Sequence, residues 1–192
     1  MRLFSLNMLL LMAACTSKEP RFDFIEVKGQ EVISSHRLPI KFQVPVAFSL
    51  FGEHDFVEVH DDVPFKVSSA TFISEGEMLI LLAEEQLNPE GIFTYDLPLD
   101  TLNNYLVYRR SGCFNLFEET DQDMKENGYL RFLKENDFNF DQGLNMIQFI
   151  LINKEKSAEI VISFVKLQRE CGATAPDVNY VKRILSSFEI LQ

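Results

Sequence analysis

The sequence predicts an α+β domain: a mostly antiparallel sheet covered by helices on both faces, an α/β/α sandwich. Three observations lead there. Residues 146–152 are apolar at every position but Gln148, so a strand there has two faces to cover. After the polar turn 153–157, residues 158–167 return as a partner strand. Ile160, Ile162 and Phe164 share one face of it, and Val161, Val165 and Leu167 the other. Two stretches have the spacing of helices that could supply the covering layers. Leu99, Leu102, Leu106 and the stem of Arg109 make one stripe, and Val181, Ile184, Leu185 and Phe188 the other.

The remaining elements follow in chain order. Residues 22–27 read as a first strand. Residues 40–45 alternate, with Ile40, Phe42 and Val44 inward, and Pro45 ends the ladder because it has no N–H to donate. A turn at 52–55 leads into a strand at 56–60, closed by Asp61, Asp62 and Pro64, and 65–72 is moderately β-like. Residues 78–83 form a short continuous apolar run whose length suits a buried strand. A turn at 89–91 precedes a short β-like stretch at 92–95. A helix is expected over 98–111, started by Pro98 or Asp100, with Arg109 and Arg110 at its negative end and Gly112 as cap. Thr120 offers an N-cap to a weaker helical region reaching about Glu135, which Gly128 interrupts. Asp177 caps the closing helix.

The N-terminus carries a different signal. Arg2 precedes an apolar run from Leu3 to Met12, followed by Ala13, Ala14 and Cys15. A charged start, a short apolar core and small residues are the parts of a secretory signal peptide, and the run is too short to span a bilayer. An ordinary secretory signal cleaved nearby, or a buried N-terminal helix, would also use such a run. Ala13-Ala14-Cys15 resembles the lipobox of bacterial lipoproteins, with Met12 where that family usually has Leu. The resemblance implies lipidation at Cys15, with palmitate-type acyl chains anchoring the protein to the membrane. Thr16, where an Asp would signal inner-membrane retention, implies the outer membrane, with the domain facing the periplasm. Lys18-Glu19 is weakly similar to the acidic export signals of surface lipoproteins. The expected organisation is a signal peptide over 1–14, a lipidated tether over 15–21 and one globular domain over 22–192.

Composition excludes some functions. The net charge is −11, with the acidic residues spread along the chain rather than gathered in a tail. Phosphate recognition needs clustered Lys and Arg, so nucleic acid is not an expected partner. With Cys15 assigned to lipid, Cys113 and Cys171 remain as an even pair in a compartment that permits disulfides: either a bridge or two separate buried thiols. No G-x-S-x-G, H-E-x-x-H, P-loop or dinucleotide-binding glycine pattern occurs, so no catalytic residue is named and no cofactor is implied. The one concentrated polar segment is 53–62. On a strand, His54, Phe56, Glu58 and His60 share a face. Glu58 and His60, about 6.6 Å apart by the strand rise, make half a divalent-metal site against the plainer reading of a solvated face. Residues 137–143 spell D-x-N-x-D, but Gln142 and Gln148 stand where a calcium loop needs Gly and Glu. Phe138 and Phe140 are better read as part of a strand entering the hairpin.

The order of elements also resembles the PsbP-like fold. The resemblance rests on Phe42-Gln43-Val44-Pro45, the expected helix 98–111, the long hairpin and the ending Leu185-Ser186-Ser187-Phe188-Glu189-Ile190. It implies a non-catalytic binding or assembly module and transfers no site residue. Taken together, these readings describe a lipid-anchored cell-envelope protein that contacts an envelope partner. The alternatives are a small-ligand or divalent-metal-binding lipoprotein, and an envelope hydrolase without a recognisable motif.

Overall fold

Short segments of alternating polarity near the N-terminus build a small sheet. Its strands are β1 (Ile25–Lys28), β2 (Glu31–Ser34) and β3 (Ile40–Gln43). In the computed structural model, which describes residues 21–60, 63–87, 93–171 and 175–191, they pair antiparallel in the order β1-β2-β3. The two-residue strand β11 (Glu189–Ile190) joins the β3 edge. The signal segment, Cys15 and the tether up to residue 20 lie outside the described residues, as does the side chain of His60.

The long strands make a second, seven-stranded sheet, antiparallel throughout. They are β4 (Ser49–His60), β5 (Val63–Ser74), β6 (Glu77–Gln86), β7 (Leu99–Leu102), β8 (Tyr105–Asn115), β9 (Gly143–Ile152) and β10 (Ala158–Gln168). Their order is β4-β5-β6-β10-β9-β8-β7. The apolar runs of β6, β9 and β10 occupy the centre, where both faces are covered.

The α/β/α sandwich is therefore corrected to a two-sheet, β-rich fold. One face of the large sheet packs mainly on another sheet. Val32, Ile40 and Phe42 of the small sheet meet Phe72, Leu79, Leu81, Phe149, Ile162 and Phe164 in a continuous core. The closing helix α3 (Val178–Ile184) fills the rest of that layer through Val181 and Leu185, and Asp177 caps it by accepting from the Asn179 and Tyr180 N–H groups.

The expected helix over 98–111 is the largest local correction. It is the β7–β8 hairpin. Asn103 and Asn104 form its two-residue turn at φ 48° and 69°, the left-handed pair that matches the twist of flanking strands. Asn103 Nδ2 also donates to the carbonyls of Leu185 (2.8 Å) and Phe188 (2.9 Å), which ties the turn to the end of α3. The helical stripe does not survive: Leu102 is fully buried, while Leu99 and Leu106 are exposed. Arg109 does not cap a helix but pairs with Asp100 at 2.8 Å, and Lys182 reaches the same carboxylate at 2.6 Å. Burial pushes that carboxyl up, and the bonds from Lys182 and the Thr101 N–H outweigh it and hold it below its ordinary range.

The other face of the large sheet carries two short helices, α1 (Asp121–Glu126) and α2 (Gly128–Glu135). Thr120 and Asp123 form a reciprocal capping box on α1, and Asn127 caps α2. Gly128 is where α2 touches β4. A Cβ there would stand 2.4 Å from Phe56 Cδ2, so only glycine admits this approach. Leu130 and Leu133 of α2 pack with Met124, Met78, Ile80, Leu144 and Val165. The expected strand through Phe138 and Phe140 does not form. Asp137 has φ 56°, Asp141 N–H donates to Asn139 Oδ1, and regular pairing starts only at Gly143.

Cys113 and Cys171 form a disulfide that fastens β8 to the segment after β10, across a separation of 58 residues. Asn115 Oδ1 accepts from the Cys171 N–H at 2.7 Å beside it. Gly143 lies under this crossing: a Cβ would sit 2.9 Å from the Cys171 nitrogen.

Candidate functional site: an acidic, aromatic-walled cavity

Two helices of six and eight residues span only about 9 and 12 Å, while six strand spacings make the large sheet roughly 29 Å wide. The helices therefore cover part of their face and leave the rest bare. A cavity of about 610 Å³ occupies the uncovered part. Its floor is the sheet, and Tyr129 of α2 together with Phe93 and Tyr95 forms walls.

Strand alternation explains which side chains reach it. Along β6, Leu79, Leu81 and Ala83 face the small sheet. Met78 and Ile80 face α1 and α2, and the same face continues through Leu82, Glu84 and Gln86 beyond the helical cover. Pairing then brings acids together. Glu159 of β10 is directly opposite Glu84, so both carboxyls rise from neighbouring strands on one face. Such cross-strand neighbours have Cβ atoms about 4.5–5.5 Å apart, and like charges there repel. Glu58 of β4 lines the same cavity, and Arg110 of β8 supplies its guanidinium.

Both facing acids are buried: Glu84 is 8% exposed and Glu159 3%. Tyr95 Oη donates to both oxygens of Glu159 at 2.9 Å. Arg110 Nε donates to Gln148 Oε1 at 2.7 Å, and Gln148 Nε2 donates to Ser163 Oγ at 2.8 Å. Glu84 receives no hydrogen bond and no ion pair within 4 Å among the described residues, and the buried Oε1 of its neighbour Gln86 has no partner among them either. Burial pushes the Glu159 carboxyl up to about 7, opposed by the Tyr95 bond and the Arg110 charge. Burial also raises Glu84 well above the ordinary carboxylate range, and the negative charges of Glu159 and Glu58 add to it. Burial and Glu159 hold the Tyr95 phenol well above its normal value, so it stays a donor.

The sequence-predicted site residues fall in different places. Glu58 lies in the cavity wall. The side chain of His60 lies outside the described residues. His54 is stacked between Phe56 and Phe132, with ring centroids 5.4 and 5.1 Å away. Among the described residues no group of three His, Cys, Asp or Glu side chains is arranged to hold a metal ion, and this covers the 137–141 acids as well. Cys113 and Cys171 are joined elsewhere on the sheet. Sequence reasoning missed Glu84, Glu159, Arg110 and Tyr95. The available signal was an acid on the same strand face as Leu82 and Val161, inside otherwise apolar strands.

No helix among the described residues is long and apolar enough to cross a membrane. No protein-family model, no curated protein and no solved structure matches the chain.

Proposed function

We propose that this is a lipid-anchored cell-envelope protein, held at the outer membrane through Cys15, whose domain binds a small ligand non-catalytically. The observation that carries the binding part is the cavity itself. A volume of about 610 Å³ falls within the range of small-molecule sites, and apolar walls with a few convergent polar groups are their usual make-up. The anchoring part rests on the similarity of Ala13-Ala14-Cys15 to a lipobox. A binding module suits a chain without catalytic motifs, and an envelope partner could still contact the outer surfaces of the two sheets.

Val161 lines the cavity and is nearly fully buried, so Val161→Phe would fill part of it from the floor. A fragment library is screened by ligand-observed NMR against the parent and this variant. Fragments that bind the parent and are lost in the variant support the reading. A library with no plug-sensitive binder contradicts it.

One observation favours the envelope hydrolase as a second reading: a buried carboxyl with its pKa near 7 is suited to general-acid work. Acid–base pairs, however, need environments that push the two groups apart. Here burial pushes Glu84 and Glu159 in the same direction, and the Glu159 charge adds to it at Glu84, which favours binding over turnover.

A further inference from the structure

We propose that the cavity takes a small organic cation, an ammonium carried on an apolar or aromatic body, with its charge held between Glu84 and Glu159. This rests on the small-ligand reading above and names the ligand class.

Strand register sets the two carboxyls face to face on one surface, and neither forms an ion pair within 4 Å among the described residues. The only cationic side chain among the described lining residues is Arg110, and it lies three strands from Glu84 in the sheet order, its Nε committed to Gln148. Glu84 and Glu159 thus share one guanidinium among the described lining residues. Glu84 is more than nine-tenths buried and receives no hydrogen bond among the described residues. Gln86, equally buried and two residues along the same face, has an Oε1 without a donor among the described residues. Buried acceptors left without donors cost free energy, and a ligand bearing donors removes that cost. An ammonium brings three N–H donors and one positive charge. Two carboxyls, which an ammonium seated between them would draw into the ionised form, and one amide oxygen are a matching set.

The walls fit the rest of such a ligand. Phe56, Phe65 and Phe93 with Tyr95 and Tyr129 give the cavity five aromatic rings. Aromatic faces attract cations and also accept an apolar body. A bare divalent ion fits less well. It would need oxygen or nitrogen ligands on most sides, the phenylalanine rings supply none, and no three acidic or His side chains are arranged to hold one among the described residues. An anionic ligand would add negative charge beside two acids whose ionisation burial already opposes.

The test is calorimetry on the full chain at neutral pH with three probes of similar shape: phenethylammonium, neutral 3-phenylpropanol and anionic 3-phenylpropionate. Calcium and zinc chloride are titrated alone. The expected result is that phenethylammonium binds at least about tenfold more tightly than the alcohol, and that propionate does not bind. Losing one hydrogen bond to a charged acceptor corresponds to roughly ten- to a hundredfold, so Glu84→Gln should weaken the amine by that factor and leave the alcohol unchanged. Arg110→Gln should tighten the amine, and this keeps the test decisive if Glu84→Gln does not fold. Equal or tighter binding of the alcohol or the propionate overturns the cation assignment while leaving the cavity a ligand site. Saturable calcium or zinc binding that excludes the amine overturns it in favour of a metal. Absence of binding by all three organic probes also overturns it, and the Val161→Phe screen then decides separately whether the cavity binds anything.

Discussion

Replacing Glu159 by Gln should flatten the dependence of stability on pH. Glu159 is 3% exposed, and its carboxyl moves from 4.5 in the unfolded chain to about 7 in the fold, chiefly through burial. A shift of that size corresponds to about 3 kcal/mol. Its sign follows from proton counting. Between those two values the folded state holds the proton and the unfolded state has released it. The contribution is therefore fully present below pH 4.5 and is lost as pH rises through about 7. Glu84, raised for the same reason, acts in the same direction. Glutamine keeps an oxygen that can accept from Tyr95 and has no proton to lose. Urea unfolding at pH 5 and pH 8 gives the comparison. The parent should lose stability between these values, and Glu159→Gln should lose about 2.5 kcal/mol less, since part of the contribution is already gone at pH 5, and be the more stable protein at pH 8. An unchanged difference between the two pH values, or a variant less stable than the parent at pH 8, would refute the reasoning.

Other outcomes follow from single contacts. Reducing the Cys113–Cys171 bridge, which closes a loop of 58 residues in separation, should cost about 4 kcal/mol in the chain-entropy model, read as a lower urea midpoint with dithiothreitol. Gly128→Ala places a methyl against the Phe56 ring and should destabilise by about 1–3 kcal/mol, measured by thermal unfolding. Asn103→Ala removes two hydrogen bonds to the end of α3 and puts a β-carbon without a polar side chain at φ 48°, so a loss of about 2 kcal/mol is expected in the same assay. Cys15→Ser should abolish both acylation, seen by mass, and partition into the membrane fraction.

The two central strands were readable because their chemistry is local. Residues 146–152 and 158–167 are apolar on both faces, and β9 and β10 form there. Thr120 and Asp177 were readable as caps for the same reason. The β7–β8 hairpin was obscured because Leu99, Leu102 and Leu106 fit a helical period by coincidence. The competing signal was Asn103-Asn104 beside Tyr105-Leu106-Val107-Tyr108, a turn pair followed by a β-prone run. Missing it turned a β-rich fold into an expected helical layer. The small sheet was only half visible, since β2 has four residues of mixed polarity that signal little alone. The cavity was beyond sequence reading altogether. Glu84 and Glu159 are far apart in the chain and meet only because β6 and β10 pair in one register. A slip of one residue would turn one of them toward the small sheet.

The same register offers the most direct test of the cavity as a ligand site. Leu82, Ile150 and Val161 have methyl groups on the cavity face, and their sequence neighbours Leu81, Leu151 and Ile160 point into the core against the small sheet. In methyl-labelled protein titrated with phenethylammonium, or with the best plug-sensitive fragment, the first three methyl signals should shift in a saturable way while the second three stay nearly still. Shifts confined to the small-sheet face, or no saturable shift at Leu82, Ile150 and Val161, would contradict the account.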